Sequence, residues 1–177
     1  IVSESTVAAA TVFVCGKWET KDSMSIQKNS NYDSIQNNME HVLIALPEGL
    51  LLLLGLLTAP SIPSTCVEDT VTKLSLWIKM NSTNATKILG CGHWQRWFLG
   101  LYLSLENRTD EGGDVSHTNV AQSMVADIIS CLYAQLLLRV KNGYQQWRVT
   151  LKLLEYHPQR ILILRQLLTL SFRRLYS

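Results

Sequence analysis

Apolar positions recur at helical spacing from Cys66 almost to the end of the chain. Val67, Val71, Leu74 and Ile78, with Trp77 beside them, predict a first amphipathic helix over about 66–80. Glu68 and Asp69 in its opening turn and Lys79 in its last suit the helix macrodipole. The polar run 81–87 reads as a loop. Trp94, Trp97, Phe98, Leu101, Tyr102 and Leu105 make the stripe of a second helix, about 92–106, and residues 106–116 a loop with paired glycines. A third helix starts from Ser116 or Thr118 as N-cap and carries Val120, Met124, Ile128, Cys131, Leu132 and Leu136 to about Val140, where Asn142-Gly143 ends it. Tyr144, Trp147, Leu151 and Leu154 begin a fourth. Pro158 must kink or interrupt it before Ile161, Leu164, Leu168, Phe172 and Leu175 resume the pattern. No strand-like alternation appears between 65 and 177. Four apolar stripes in one short segment are satisfied only by packing on one another, so the expected fold is an all-α four-helix bundle.

The stretch Met39–Cys66, MEHVLIALPEGLLLLLGLLTAPSIPSTC, breaks this pattern. Leu50 to Ala59 is ten residues without a charge, inside the roughly 7–15 residue length of a signal-peptide core. Small residues at Ala59-Pro60-Ser61, or nearer Ser64, offer a cleavage point. A membrane span needs roughly 20 apolar residues, and Pro47, Glu48 and Gly49 interrupt any such run. A buried core helix is the third reading, weakened by Gly49 and Gly55. The signal peptide is favoured, although Met39-Glu40-His41 lacks a basic residue. On that reading residues 1–38 are an upstream, disordered leader, 39–64 a signal peptide and 65–177 the working domain.

Charge divides along the same line. Residues 1–64 hold three basic residues against six acidic, net −3, and residues 65–177 hold thirteen against eight, net +5. From Arg139 onward there are eight basic residues and one acid, Glu155, net +7. They alternate with Leu and Ile at helical spacing, which reads as the solvated face of a helix rather than a nucleic-acid surface.

Secretion would make disulfides and glycans expected. Cys66, Cys91 and Cys131 in the working domain allow three single pairings. Cys66–Cys131 would close a long loop, stabilising by around 4 kcal/mol in the chain-entropy model, and Cys66–Cys91 stays open. Three acceptor sequons, at Asn81, Asn84 and Asn107, fall in the two predicted interhelical loops, where a glycan can be carried. Catalytic chemistry is not indicated. His41, His93, His117 and His157 lack metal-site spacing, and Cys91-Gly92-His93 lacks an orienting third group. No nucleophile elbow, phosphate loop or dinucleotide fingerprint is present. The expectation is a non-enzyme without cofactor or metal.

Thr65-Cys66 opening an amphipathic helix, with Val67-Glu68-Asp69-Thr70-Val71-Thr72-Lys73-Leu74 following, resembles a short-chain haematopoietic cytokine of the interleukin-3 type. Ile128-Ile129-Ser130-Cys131-Leu132 is similar to that family's third helix with its second cysteine. Gln146-Trp147-Arg148 with Leu151-Lys152 is similar to the start of its last helix. Interleukin-4/13 and GM-CSF types share the general pattern. The resemblance covers about a quarter of residues 65–177 and departs from the family at Thr72, where an exposed glutamate is expected. It implies an up-up-down-down bundle, a Cys66–Cys131 disulfide, and a secreted monomer that cross-links cell-surface receptor chains. Glu68, Asp69, Arg148 and Lys152 would be its receptor contacts, and the basic C-terminal helix would offer a surface to heparan sulfate. The alternatives are a membrane-anchored, viral-type glycoprotein that keeps the apolar run, or a cationic host-defence protein acting on membranes through its last helix.

Overall fold

A computed structural model describes residues 2–15, 42–110, 115–139 and 143–176. Among the described residues there are eight helices and no strand, so the all-α expectation holds. They are α1 (Glu4–Cys15), α2 (Pro47–Leu57), α3 (Ser64–Met80), α4 (Ser82–Gly90), α5 (Trp94–Asp110), α6 (Val115–Arg139), α7 (Gly143–Leu153) and α8 (Arg160–Leu175).

The helices form for the local reasons the periodicity gave, with three corrections. Residues 4–15, expected within a disordered leader, make α1, because Val7 and Val14 find a partner in α2 and are almost fully buried. The polar run 81–87, expected as a loop, is the cap and first turns of α4. Asn81 caps it by accepting from the Thr83 N–H at 2.9 Å, and Asn84, Ala85 and Ile88 form its buried face. The second predicted helix runs on to Asp110, so Asn107 is helical. The last helix does break at Pro158. The chain leaves α7 at Leu153, makes tight turns at Leu154–His157, and restarts as α8.

The apolar run at the centre of the sequence problem is α2. Pro47 supplies a pre-set φ in its first turn. Leu50, Leu51, Leu53, Leu54 and Leu57 are buried against α1 and α5, while Leu52 faces out. In this structure it is a core helix. Gly55 lets α2 lie against α5, since a Cβ there would stand 2.8 Å from Trp97 Cζ3. The end of α2 is closed from α5 by Arg108, whose guanidinium donates to the carbonyls of Leu57 (3.0 Å), Ala59 (2.5 Å) and Ile62 (3.0 Å). These carbonyls lie at and beyond the end of α2, where the intrahelical ladder no longer supplies donors.

Cross-element pairs fix the helix directions. Ser61 meets Val2 and Ala45 meets Val14, so α1 and α2 are antiparallel. Gly55 meets Trp97 and Leu57 meets Arg108, so the end of α2 lies along α5. Ser64 meets Thr118 and Lys79 meets Asp127, so α3 and α6 are parallel. Trp94 packs on Tyr133 and Tyr102 meets Gln122, so α5 and α6 are antiparallel. Ser130 meets Leu167 and Asp127 meets Arg174, so α6 and α8 are antiparallel. Helices α3 and α6 therefore point one way and α5 and α8 the other. An up-up-down-down bundle requires its first and third helices, here α3 and α6, to be antiparallel. They are parallel, and the bundle expectation fails on that point.

α6 is the centre of the unit. It packs on α3, α5 and α8, and more lightly on α4 and α7. Its buried Ala121, Val125, Ala126, Ile128, Ile129, Leu132 and Tyr133 lie on several sides of the helix because neighbours do. A helix apolar all round is a buried helix. Trp94, Phe98, Tyr133 and Trp147 form its aromatic cluster, with Tyr133 and Trp147 stacked at 4.1 Å. Gln95 donates to Gln146 beside them.

Candidate interaction surface

The structure scatters the residues that the sequence singled out as a site. Cys66 lies in the first turn of α3 and Cys131 within α6, and both carry free thiols, as does Cys91. Lys79 and Asp127 act on Cys131, which places it level with the far end of α3. Thirteen residues of helix separate Cys66 from Lys79, about 20 Å at 1.5 Å per residue. A disulfide needs Cα atoms within roughly 7 Å, so the Cys66–Cys131 pairing is not compatible with this packing. Burial pushes all three thiols upward, with smaller contributions from nearby carboxylates. They are not activated nucleophiles.

Two of the three sequons have structural work. Asn84 is fully buried. Its Oδ1 accepts from the Ile44 N–H at 2.8 Å, and its Nδ2 donates to the carbonyls of Val42 (2.8 Å) and Trp77 (2.9 Å). The nitrogen that would carry a glycan is thus spent on stitching the chain before α2 to α3 and α4. Asn81 is the α4 cap. Asn107 alone is exposed, on α5 and not in a loop.

Of the proposed receptor contacts, Glu68 is drawn to the α6 terminus. Its carboxylate pairs with His117 Nδ1 at 2.5 Å, in a shallow open cleft of about 270 Å³ lined by Thr65, Glu68, Asp69, Thr72 and His117. Asp69 pairs along its own helix with Lys73 at 2.7 Å. Thr72 turns its hydroxyl to the Glu68 carbonyl and lies against Met124. Arg148 and Lys152 are exposed on α7, far from this cleft in the chain. The four do not form one surface. Cys91-Gly92-His93 is a turn into α5, made with His93 at φ +64°.

α8 leaves large apolar side chains open to solvent. Its Ile163, Leu167 and Ser171 face α6. On the opposite side Ile161, Arg165, Leu168, Phe172 and Tyr176 follow one another at helical spacing. Ile161 is 73% exposed and Phe172 50%. Periodicity registered both sets as one apolar helix, and only packing separates the covered set from the open one. No three His, Cys, Asp or Glu side chains converge among the described residues, and no described helix is long and apolar enough to cross a membrane.

Alternating helix directions of this kind occur both in up-down-up-down bundles and in α-solenoids, so the family match decides between them. The model of the Neurobeachin/BDCP DUF4704 alpha solenoid region matches residues 20–156. The chain belongs to that family. No curated protein and no solved structure matches it. The family assignment overturns the cytokine resemblance, which rested on short motifs, and with it receptor cross-linking, secretion and the heparan sulfate surface. The anchored-glycoprotein and host-defence alternatives fall with the same finding.

Proposed function

We propose that this chain is a non-enzymatic scaffold segment inside the cell, whose work is to hold protein partners against a stack of helices. The observation that carries the reading is the match of residues 20–156 to a family of α-solenoid regions, in a chain whose described residues are helical without a strand. Solenoids offer extended surfaces, and each repeat needs only its neighbours for stability. The separation of Cys66, Cys91 and Cys131 as unbonded thiols suits a reducing compartment. Among the described residues no helix terminus or cleft gathers a nucleophile, a base and an orienting group. Residues 42–64 stay in the folded unit on this reading, because α2 fills the core and the family match runs through them. Arg148 and Lys152 on the outer side of α7 are the contacts we assign to partners.

The test is a photo-crosslinking residue placed at Arg148 and at Lys152 of the chain expressed in cells, followed by mass spectrometry of adducts and of the chain's own N-terminal peptides. Discrete protein adducts, with peptides spanning 47–57 intact, are expected. A glycosylated chain in the medium that begins near residue 65, or adducts at neither position, would overturn the proposal.

A further inference from the structure

We infer that the outer stripe of α8 docks an acidic amphipathic helix of a separate partner protein. This deepens the scaffold reading and rests on it. In a solenoid the outer face of an uncovered repeat is polar where it meets only water. The α8 stripe is not polar. Ile161, Leu168, Phe172 and Tyr176 stand in one line along the helix, all open, with the covered side of the same helix already satisfied by α6. That is the i, i+7, i+11 arrangement by which one helix receives another.

The charge on the stripe selects the occupant. α8 contains Arg160, Arg165, Arg173 and Arg174 and no acidic residue. Arg174 is engaged with Asp127 of α6, and Arg160 reaches back to the Glu155 carbonyl at 2.5 Å. Arg165 lies within the apolar line and Arg173 at its edge, both exposed. Where this fold seats an arginine between its own helices, Arg174 of α8 against α6, the carboxylate of Asp127 meets it. A wholly apolar helix laid on the stripe would bury Arg165 without such a counter-ion, which is costly. A second copy laid symmetrically on α8 would set arginine against arginine. A helix with leucines on one face and glutamates flanking them meets both demands, and opposite charge also raises the association rate.

The experiment uses the full chain and a fluorescein-labelled 20-residue helical peptide with leucine at every third or fourth position and glutamate beside it. Saturable binding by anisotropy is expected, weakening as salt rises. Arg165→Glu and Phe172→Ala should each weaken it at least tenfold with the circular dichroism spectrum unchanged, while Arg96→Glu, on exposed α5 surface, leaves it as it was. A lysine-for-glutamate version of the peptide that binds equally well would overturn the proposal. So would stripe-dependent binding to 4:1 phosphatidylcholine–phosphatidylserine vesicles in place of the peptide, or self-association in sedimentation that Phe172→Ala abolishes. If the peptide fails while adducts at Arg148 and Lys152 persist, the docking site is wrong and the scaffold stands. If those adducts also fail, both fall.

Discussion

Replacing Asn84 by alanine tests the packing of the whole N-terminal half. The carboxamide makes three hydrogen bonds, to Ile44 N–H, the Val42 carbonyl and the Trp77 carbonyl. Alanine removes all three and supplies nothing, and the residue is fully buried, so water does not replace them. A buried polar group left without a partner costs about 1–3 kcal/mol. The stranded Ile44 N–H has no second bonding site and weighs most, whereas each carbonyl keeps another lone pair. A total of about 3–5 kcal/mol follows, against a typical domain stability of about 5–15 kcal/mol. At roughly 2–4 °C per kcal/mol, the thermal midpoint should fall by roughly 6–20 °C. The assay is circular dichroism melting of Asn84→Ala beside Thr86→Ala. The second variant destroys the same sequon but removes only an exposed bond from the Thr86 hydroxyl to the Ser82 carbonyl, so its stability should stay within about 0.5 kcal/mol. The reasoning is refuted if Thr86→Ala, made in glycosylation-competent cells, sheds the mass of a glycan, or if Asn84→Ala melts within about 2 °C of the parent.

Arg108→Met should cost about 2–4 kcal/mol in chemical denaturation, because three carbonyls at the end of α2 lose one planar donor. Arg108→Lys should recover only part of it, since an ammonium is not a fork, and a loss under about 1 kcal/mol in the methionine variant would contradict the clamp. Asp127 gives a pH signature. Burial pushes its carboxyl upward, but hydrogen bonds from Lys79 and Arg174 outweigh that and hold it below the usual carboxylate range. A carboxyl depressed in the folded state contributes stability above its unfolded value, about pH 3.9, and loses it as pH falls through the folded value. The parent's denaturation midpoint should therefore drop more steeply below about pH 4 than that of Asp127→Asn, and parallel acid limbs would remove the ion pair from the account. For the cysteines, unfolding without reductant should leave Cys66, Cys91 and Cys131 all open to alkylation, whereas a Cys66–Cys131 cross-linked peptide in a non-reduced digest would disprove the packing of α3 on α6.

Much of the helical content was legible in the residues, and the reasons for the misses are local. α3, α6 and the Pro158 break follow from stripe and proline chemistry, although the caps expected at Ser116 or Thr118 lie inside α6, which starts at Val115. α4 went unseen because Asn81-Ser82-Thr83 and Asn84-Ala85-Thr86 carry two meanings. A cap followed by a short buried face spells the same letters as a pair of sequons. α1 is rich in valine and threonine, which favour strands, and it is helical because α2 is there to pack on. The interaction stripe was present as Ile161, Leu168 and Phe172 but indistinguishable from the covered Ile163 and Leu167 next to them.

By itself the sequence determined that this chain is helical, that Leu50 to Leu57 must leave water, and that the last helix is cationic. Burial of apolar surface is non-directional, so it could not say whether those leucines leave water into a signal-recognition groove, a bilayer or a core. The tertiary structure decided that by setting Gly55 against Trp97 and closing the end of α2 with Arg108. It likewise decided the helix directions, which no stripe encodes because a stripe reads the same from either end. Direction is what parts Cys66 from Cys131 and rules out the up-up-down-down order.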